Sequence, residues 1–145
     1  MLSKVKSKED LENLRKGIAA RRKKVKPLVT VCNGTGCHAS GCVVVTEAFR
    51  EEIKKQGLAD KVDIRATGCH GFCERGPIVV IQPGDVFYQQ VKADDVPQIV
   101  GETVVKGGVI DRLLYVDPVS GSAASSESDV PFYKWQRRLV FGNVL

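Results

Sequence analysis

The chain reads as an α/β domain built on a four-stranded mixed sheet, with a helical arm in front of it. Three features of the sequence predict this. Short apolar runs bounded by Gly, Pro and Asp mark four strands near 28–32, 62–66, 78–81 and 86–91. A longer stretch with helical periodicity, 39–56, separates the first two strands, and Gln82-Pro83-Gly84-Asp85 joins the last two. The order is therefore strand–helix–strand, then a hairpin, then a final helix. A right-handed crossover makes the first two strands parallel.

The arm, 1–26, begins with Ser7 and Asp10 placed as a capping box and carries an apolar stripe of Leu11, Leu14 and Ile18. The run Arg21-Arg22-Lys23-Lys24 falls near its C-terminal end, where cations suit the helix dipole. Such a run is usually a solvated face, and a polybasic binding segment is the sharper alternative. Pro27 ends the arm. In the helix 39–56, Val45, Phe49 and Ile53 face inward, Glu47, Glu51 and Lys54 face outward, and Gly57 is the stop. The Pro83-Gly84 pair favours a type II turn. Asp94 is expected to cap the last helix, with Pro97 in its first turn and Val96, Ile99, Val100 and Thr103 inward. The core domain so defined is 27–116. The serine-rich stretch in 117–130 has nothing evident to bury and reads as a protease-sensitive linker. Residues 131–145 turn aromatic and apolar again, with Phe132, Tyr133, Trp135, Leu139, Val140 and Phe141, as the start of a further domain or a docking segment.

Composition narrows the class. At 145 residues and 43% hydrophobic, the chain can bury a small core, which a bound metal group would reinforce. Its net charge of +5 is unevenly divided: residues 1–26 hold ten Lys/Arg against three Asp/Glu, and the rest hold twelve against fourteen. The body therefore has no basic footprint for nucleic acid. Neither a signal peptide nor a bilayer-spanning run is evident, so a cytoplasmic location is expected, where paired cysteines more often bind metal than form disulfides.

The chemistry lies in two cysteine pairs. Cys32 and Cys37 are separated by four residues, Cys69 and Cys73 by three, and each pair follows a strand. Parallel neighbouring strands end on the same sheet edge, so topology alone gathers the four sulfurs. The loops Cys32-Asn33-Gly34-Thr35-Gly36-Cys37 and Cys69-His70-Gly71-Phe72-Cys73 are rich in glycine and poor in lysine. Backbone amides can turn inward there toward an anionic centre. A [2Fe–2S] cluster fits this pattern best; a zinc site and redox or structural thiols remain alternatives. A thioredoxin-type dithiol needs two cysteines separated by two residues, and no such pair occurs. Cys42, three residues before Val45 on the inward stripe, reads as a core thiol, with a substitute ligand as the alternative. His38 and His70 each follow a cysteine and are expected to hydrogen-bond near the site rather than ligate. Gly34-Thr35-Gly36-Cys37-His38-Ala39 mimics a dinucleotide fingerprint, but the acidic residue required after the next strand is absent; Arg65 and Ala66 stand there.

With these two loops, the chain resembles the thioredoxin-like [2Fe–2S] ferredoxins. More closely, it is similar to the ferredoxin domain at the N-terminus of NADH-binding flavoprotein subunits of NADH:quinone oxidoreductases and NAD-linked hydrogenases. The likeness covers about 3–116, with support from Phe87-Tyr88 and Gly107-Gly108-Val109-Ile110, and Pro131-Phe132-Tyr133-Lys134-Trp135-Gln136-Arg137-Arg138 is similar to the opening of the flavin-binding domain. The resemblance implies a thioredoxin-like fold and one-electron transfer. It also implies Cys32, Cys37, Cys69 and Cys73 as the metal ligands, two per iron. No substrate would be transformed on this segment. FMN and NAD(H) would belong to a downstream domain or partner chain, since the chain stops before their glycine-rich loops. The partners implied are that flavin/NADH-binding unit and further iron–sulfur subunits, in a complex that can be peripheral to a membrane, with room for a homodimer. A stand-alone ferredoxin and a zinc-stabilised interaction module are the other readings.

Overall fold

A computed structural model of the chain describes residues 5–22 and 26–137. Of the basic run, Lys23 and Lys24 lie outside the described residues, and Arg21 and Arg22 are described by their backbone alone. Leu139, Val140 and Phe141 of the tail also lie outside. The arm is helix α1, Lys8–Arg22. Its capping box forms as expected: Asp10 N–H donates to Ser7 Oγ, and Ser7 N–H donates to the Asp10 carboxylate, each at 3.1 Å. Lys6 N–H first, then the Ser7 side chain and N–H, hold the Asp10 carboxyl below its ordinary pKa. The apolar stripe of α1 stays largely in solvent, with Leu11 and Ile18 exposed and Leu14 half-buried.

The sheet contains β1 (Leu28–Cys32), β2 (Asp63–Thr67), β3 (Val79–Gln82) and β4 (Val86–Tyr88), in the order β2-β1-β3-β4. β1 runs parallel to β2 with Cys32 opposite Thr67, and antiparallel to β3 with Val31 opposite Val79. The C-terminal ends of β1 and β2 therefore meet at one edge, as the crossover rule requires. In the reversal between β3 and β4, Gly84 takes φ 107°, the positive φ that a Pro-Gly turn asks of its glycine, and Asp85 takes φ 49°.

The expected single helix after β1 is two: α2 (Thr35–Ala39) and α3 (Cys42–Lys55). Gly41 separates them at φ 89°, a left-handed conformation that glycine adopts without penalty. α3 packs on β1 and β2 through the fully or nearly buried Val45, Phe49 and Ile53. The last helix, α4, begins at Val96–Gln98 and continues with wider π-helical turns over Ile99–Val105. Val96, Ile99, Val100 and Thr103 face inward as expected. The residue at its N-cap is Asp95, not Asp94, and its side chain does not cap α4. The Asp95 carboxylate accepts from Lys92 N–H at 2.8 Å, closing the preceding 3₁₀ turn (Ala93–Asp95), and from Arg112 Nη1 at 2.6 Å. Tyr88, wholly buried, ties this region together; its hydroxyl accepts from Ile110 N–H at 2.9 Å and shares a 2.7 Å hydrogen bond with Thr103 Oγ1.

The stretch 117–130 differs from the expected linker. Only its first part is a loop. β5 (Tyr115–Val116) pairs with β6 (Ala123–Ala124), and Phe87 N–H then donates to Ser125 O at 2.9 Å. This covers the otherwise open edge of β4. Val130 is fully buried, and α5 (Pro131–Lys134) buries Tyr133 against Phe87. The reason is apolar: Ala124, Val130 and Tyr133 have core surface to bury that their serine-rich surroundings conceal.

Candidate functional site

β1 delivers Cys32 to the sheet edge, where Cys32 N–H donates to Ile78 O at 2.9 Å and Asn33 N–H to Thr67 O at 3.0 Å. The short helix α2 then carries Cys37 back beside it. β2 ends at Thr67, and the chain passes through Cys69 to Cys73, which opens a 3₁₀ turn, Cys73–Arg75. The sulfurs lie as two pairs: Cys32 and Cys37 Sγ are 3.2 Å apart, Cys69 and Cys73 Sγ 3.5 Å apart. The first pair is buried and the second exposed.

Three glycines allow the two loops to meet. A Cβ on Gly34 would lie 2.8 Å from Cys69 Cβ, and one on Gly36 would lie 2.9 Å from Cys73 Cβ. A Cβ on Gly76 would lie 2.7 Å from Cys37 Sγ. Contacts this short do not occur between real side chains, so any larger residue would push the loops apart. This use of Gly34 and Gly36 also explains the false dinucleotide fingerprint. Their open faces are taken by the second cysteine loop.

The electrostatics ask for a positive guest. Burial, reinforced by the hydrogen bond and charge of Cys32, pushes the Cys37 thiol up to about 12. The hydrogen bond and charge of Cys69 likewise raise Cys73. Cys37 and Cys73 in this state ionise readily only if a cationic centre neutralises them. Gly71 N–H donates to Cys69 Sγ at 3.3 Å, the kind of amide contact that stabilises a thiolate ligand. Among the described residues, no three His, Cys, Asp or Glu groups converge on one ion position. Two sulfur pairs suit a binuclear iron–sulfur centre better than a single tetrahedral zinc.

The remaining candidates fall outside this constellation. Cys42 is buried, and its thiol donates to Asn33 Oδ1 at 3.3 Å; burial and then the charge of Cys32 raise its pKa. His38 is exposed on α2. His70 is buried with Nε2 3.1 Å from Thr67 Oγ1 and Nδ1 3.4 Å from Glu127 Oε1. Gly76, Glu127 and an aromatic cluster around Phe72 are additions that the sequence did not reveal. Phe72 meets Tyr115, Phe132 and Tyr133, all remote in sequence, and Arg75 lies over the Tyr115 ring at 5.5 Å.

Comparison with known proteins shows the family. A family model described as thioredoxin-like [2Fe–2S] ferredoxin matches residues 19–103. A [2Fe–2S] ferredoxin of Clostridium pasteurianum is 42% identical over 77 residues, 53% of this chain and 76% of the relative. An NADP-reducing hydrogenase subunit of Solidesulfovibrio fructosivorans is 30% identical over 121 residues, 80% of this chain and 95% of that one. Among solved structures, a thioredoxin-like [2Fe–2S] ferredoxin from Aquifex aeolicus matches with a TM-score of 0.56 at 34% identity, covering 61% of this chain and 88% of that chain. The protein is thus an electron carrier built round a [2Fe–2S] cluster, and it belongs to the thioredoxin-like [2Fe–2S] ferredoxin family.

Proposed function

We propose that Cys32, Cys37, Cys69 and Cys73 hold the cluster, two per iron, and that the chain is the ferredoxin domain of an NADH-linked oxidoreductase. The observation that carries the ligand assignment is the meeting of two close sulfur pairs, 3.2 and 3.5 Å, across glycines that leave no room for side chains. When bound, the cluster supplies reversible uptake of one electron. The residues would bind and tune it: Cys32 and Cys37 would hold it from the buried side and Cys69 and Cys73 from the exposed side, and Gly71 N–H would offset negative charge on Cys69 Sγ.

The domain organisation proposed is a helical arm at 1–26, a ferredoxin domain at 27–116, a connecting segment and, from 131, the lead into a flavin- and NADH-binding domain or the surface that docks one. The resemblance of 131–138 to the opening of such a domain, and the hydrogenase subunit among the relatives, support this reading. FMN and NAD(H) then belong to that unit, and further iron–sulfur subunits receive or supply the electrons. No helix among the described residues is long and apolar enough to cross a membrane. The thiol chemistry fits a reducing, cytoplasmic setting. A stand-alone ferredoxin is the second reading, favoured by the ferredoxins among the relatives.

An anaerobic titration of the 145-residue protein with NADH tests the assignment. Alone, the protein is expected to show neither saturable NADH binding nor cluster reduction. Reduction is expected once the flavin-binding unit is added, as a fused domain or a separate chain. Reduction by NADH without any flavoprotein would overturn the relay role, and failure of every such flavoprotein to reduce it would favour the stand-alone carrier.

A further inference from the structure

After β6 the chain turns back over the second cysteine loop. In α5 the Phe132 ring stacks on that of Phe72, with centroids 4.5 Å apart and planes 6° from parallel. Its edge lies 3.6 Å from the point that a Cβ on Gly71 would occupy. Gly71 and Phe72 are two of the three residues between Cys69 and Cys73. Tyr133 meets the same Phe72 ring edge-on at 6.0 Å, and Val130, wholly buried, fixes the base of the turn. The loop that carries the exposed cysteine pair is therefore backed by a segment about sixty residues further along the chain.

We propose that this C-terminal turn is a clip behind the outer half of the cluster site, with Phe132, itself 37% exposed, as the residue that positions the Cys69–Cys73 loop by covering Phe72, while Cys69 and Cys73 face solvent. The proposal rests on the reading of Cys69 and Cys73 as ligands. A glycine-containing loop holds its ligands loosely unless neighbouring packing fixes it. Offset or parallel ring stacking supplies such packing with a defined geometry. The apolar shell round a metal group also governs solvent access, and through it the group's stability and potential. Reduction adds one negative charge to the cluster site, which water stabilises. Removing the ring therefore raises the potential as well as loosening the ligands.

The test uses the full chain carrying its cluster, in wild type, Phe132→Ala, Phe132→Leu and Trp135→Ala. Trp135 is 83% exposed and serves as the control. Three quantities are read: the rate of iron loss to an excess of chelator, the midpoint potential, and the far-UV spectrum as a measure of folding. Phe132→Ala is expected to lose iron about tenfold faster and to shift to a higher potential with its fold retained. Phe132→Leu, which restores apolar cover without the stack, is expected to fall between it and wild type, and Trp135→Ala to match wild type. A folded Phe132→Ala with wild-type iron loss and potential would overturn the clip, as would equal changes in Trp135→Ala. Should Phe132→Ala not fold, Phe132→Leu decides: faster iron loss supports the clip and wild-type behaviour contradicts it. A wild-type chain without cluster absorption would instead sink the ligand assignment itself, an outcome read before any variant is compared.

Discussion

Gly76 shows how little room a single residue has at this centre. Its missing side chain is what lets Cys37 Sγ sit against the turn that follows Cys73, where a Cβ would approach the sulfur to 2.7 Å and Cys73 O to 3.3 Å. Both neighbours are fixed, one as a buried thiol and the other as backbone, so neither can move aside cheaply. Gly76→Ala is expected to cut iron incorporation at least severalfold while leaving the sheet folded, measured as iron per chain and by far-UV spectrum. Gly17, in α1, has nothing within 4 Å of its Cβ position. Gly17→Ala should keep full iron content and gain up to about 1 kcal/mol of helix stability. Equal iron content in the two variants would mean that the packing of Gly76 on Cys37 is irrelevant to the site. The two cysteine pairs were legible in the sequence because each follows a strand. Gly76 was not, because its neighbour Cys37 is distant in sequence and the requirement exists only once the loops meet.

Among the elements, periodic ones were legible and contact-dependent ones were not. β1 and the inward face of α3 follow from apolar spacing alone, and Val45, Phe49 and Ile53 lie where that spacing puts them. The division into α2 and α3 escaped it because both halves have helical composition and only Gly41's left-handed backbone parts them. The C-terminal segment escaped for another reason: Phe132 and Phe72 recognise each other across the fold, with no local periodicity to announce it. Limited proteolysis checks this element directly. Cleavage is expected at the loop 117–122, where Val119 is 93% exposed, while 123–134 stays protected on the body. A chain ending at Val116 leaves the Val130 and Tyr133 surface uncovered and should lose about 3–6 kcal/mol of stability by denaturant unfolding. Ready cutting throughout 123–130, or undiminished stability of the shortened chain, would contradict the packing described.

For the whole molecule, the sheet is the device that gathers two cysteine loops far apart in sequence. Parallel pairing of β1 and β2 brings the ends of both strands to one edge, and the 31 residues between Cys37 and Cys69 are mostly helix α3 and the return to β2. The small core leaves part of the stability to the bound group, so folding and cluster binding are linked. The central claim is that four cysteines, and not the fifth, hold a binuclear cluster. Iron and acid-labile sulfide counted per chain in anaerobically purified protein, with the visible spectrum, test it most directly. Two irons and two sulfides are expected in the wild type and in Cys42→Ser, whose hydroxyl can still donate to Asn33 Oδ1 and whose cost is about 1 kcal/mol. Cys32→Ser and Cys73→Ser should lose or destabilise the cluster. A colourless wild type holding stoichiometric zinc, or a cluster that survives Cys32→Ser and vanishes with Cys42→Ser, would contradict the account.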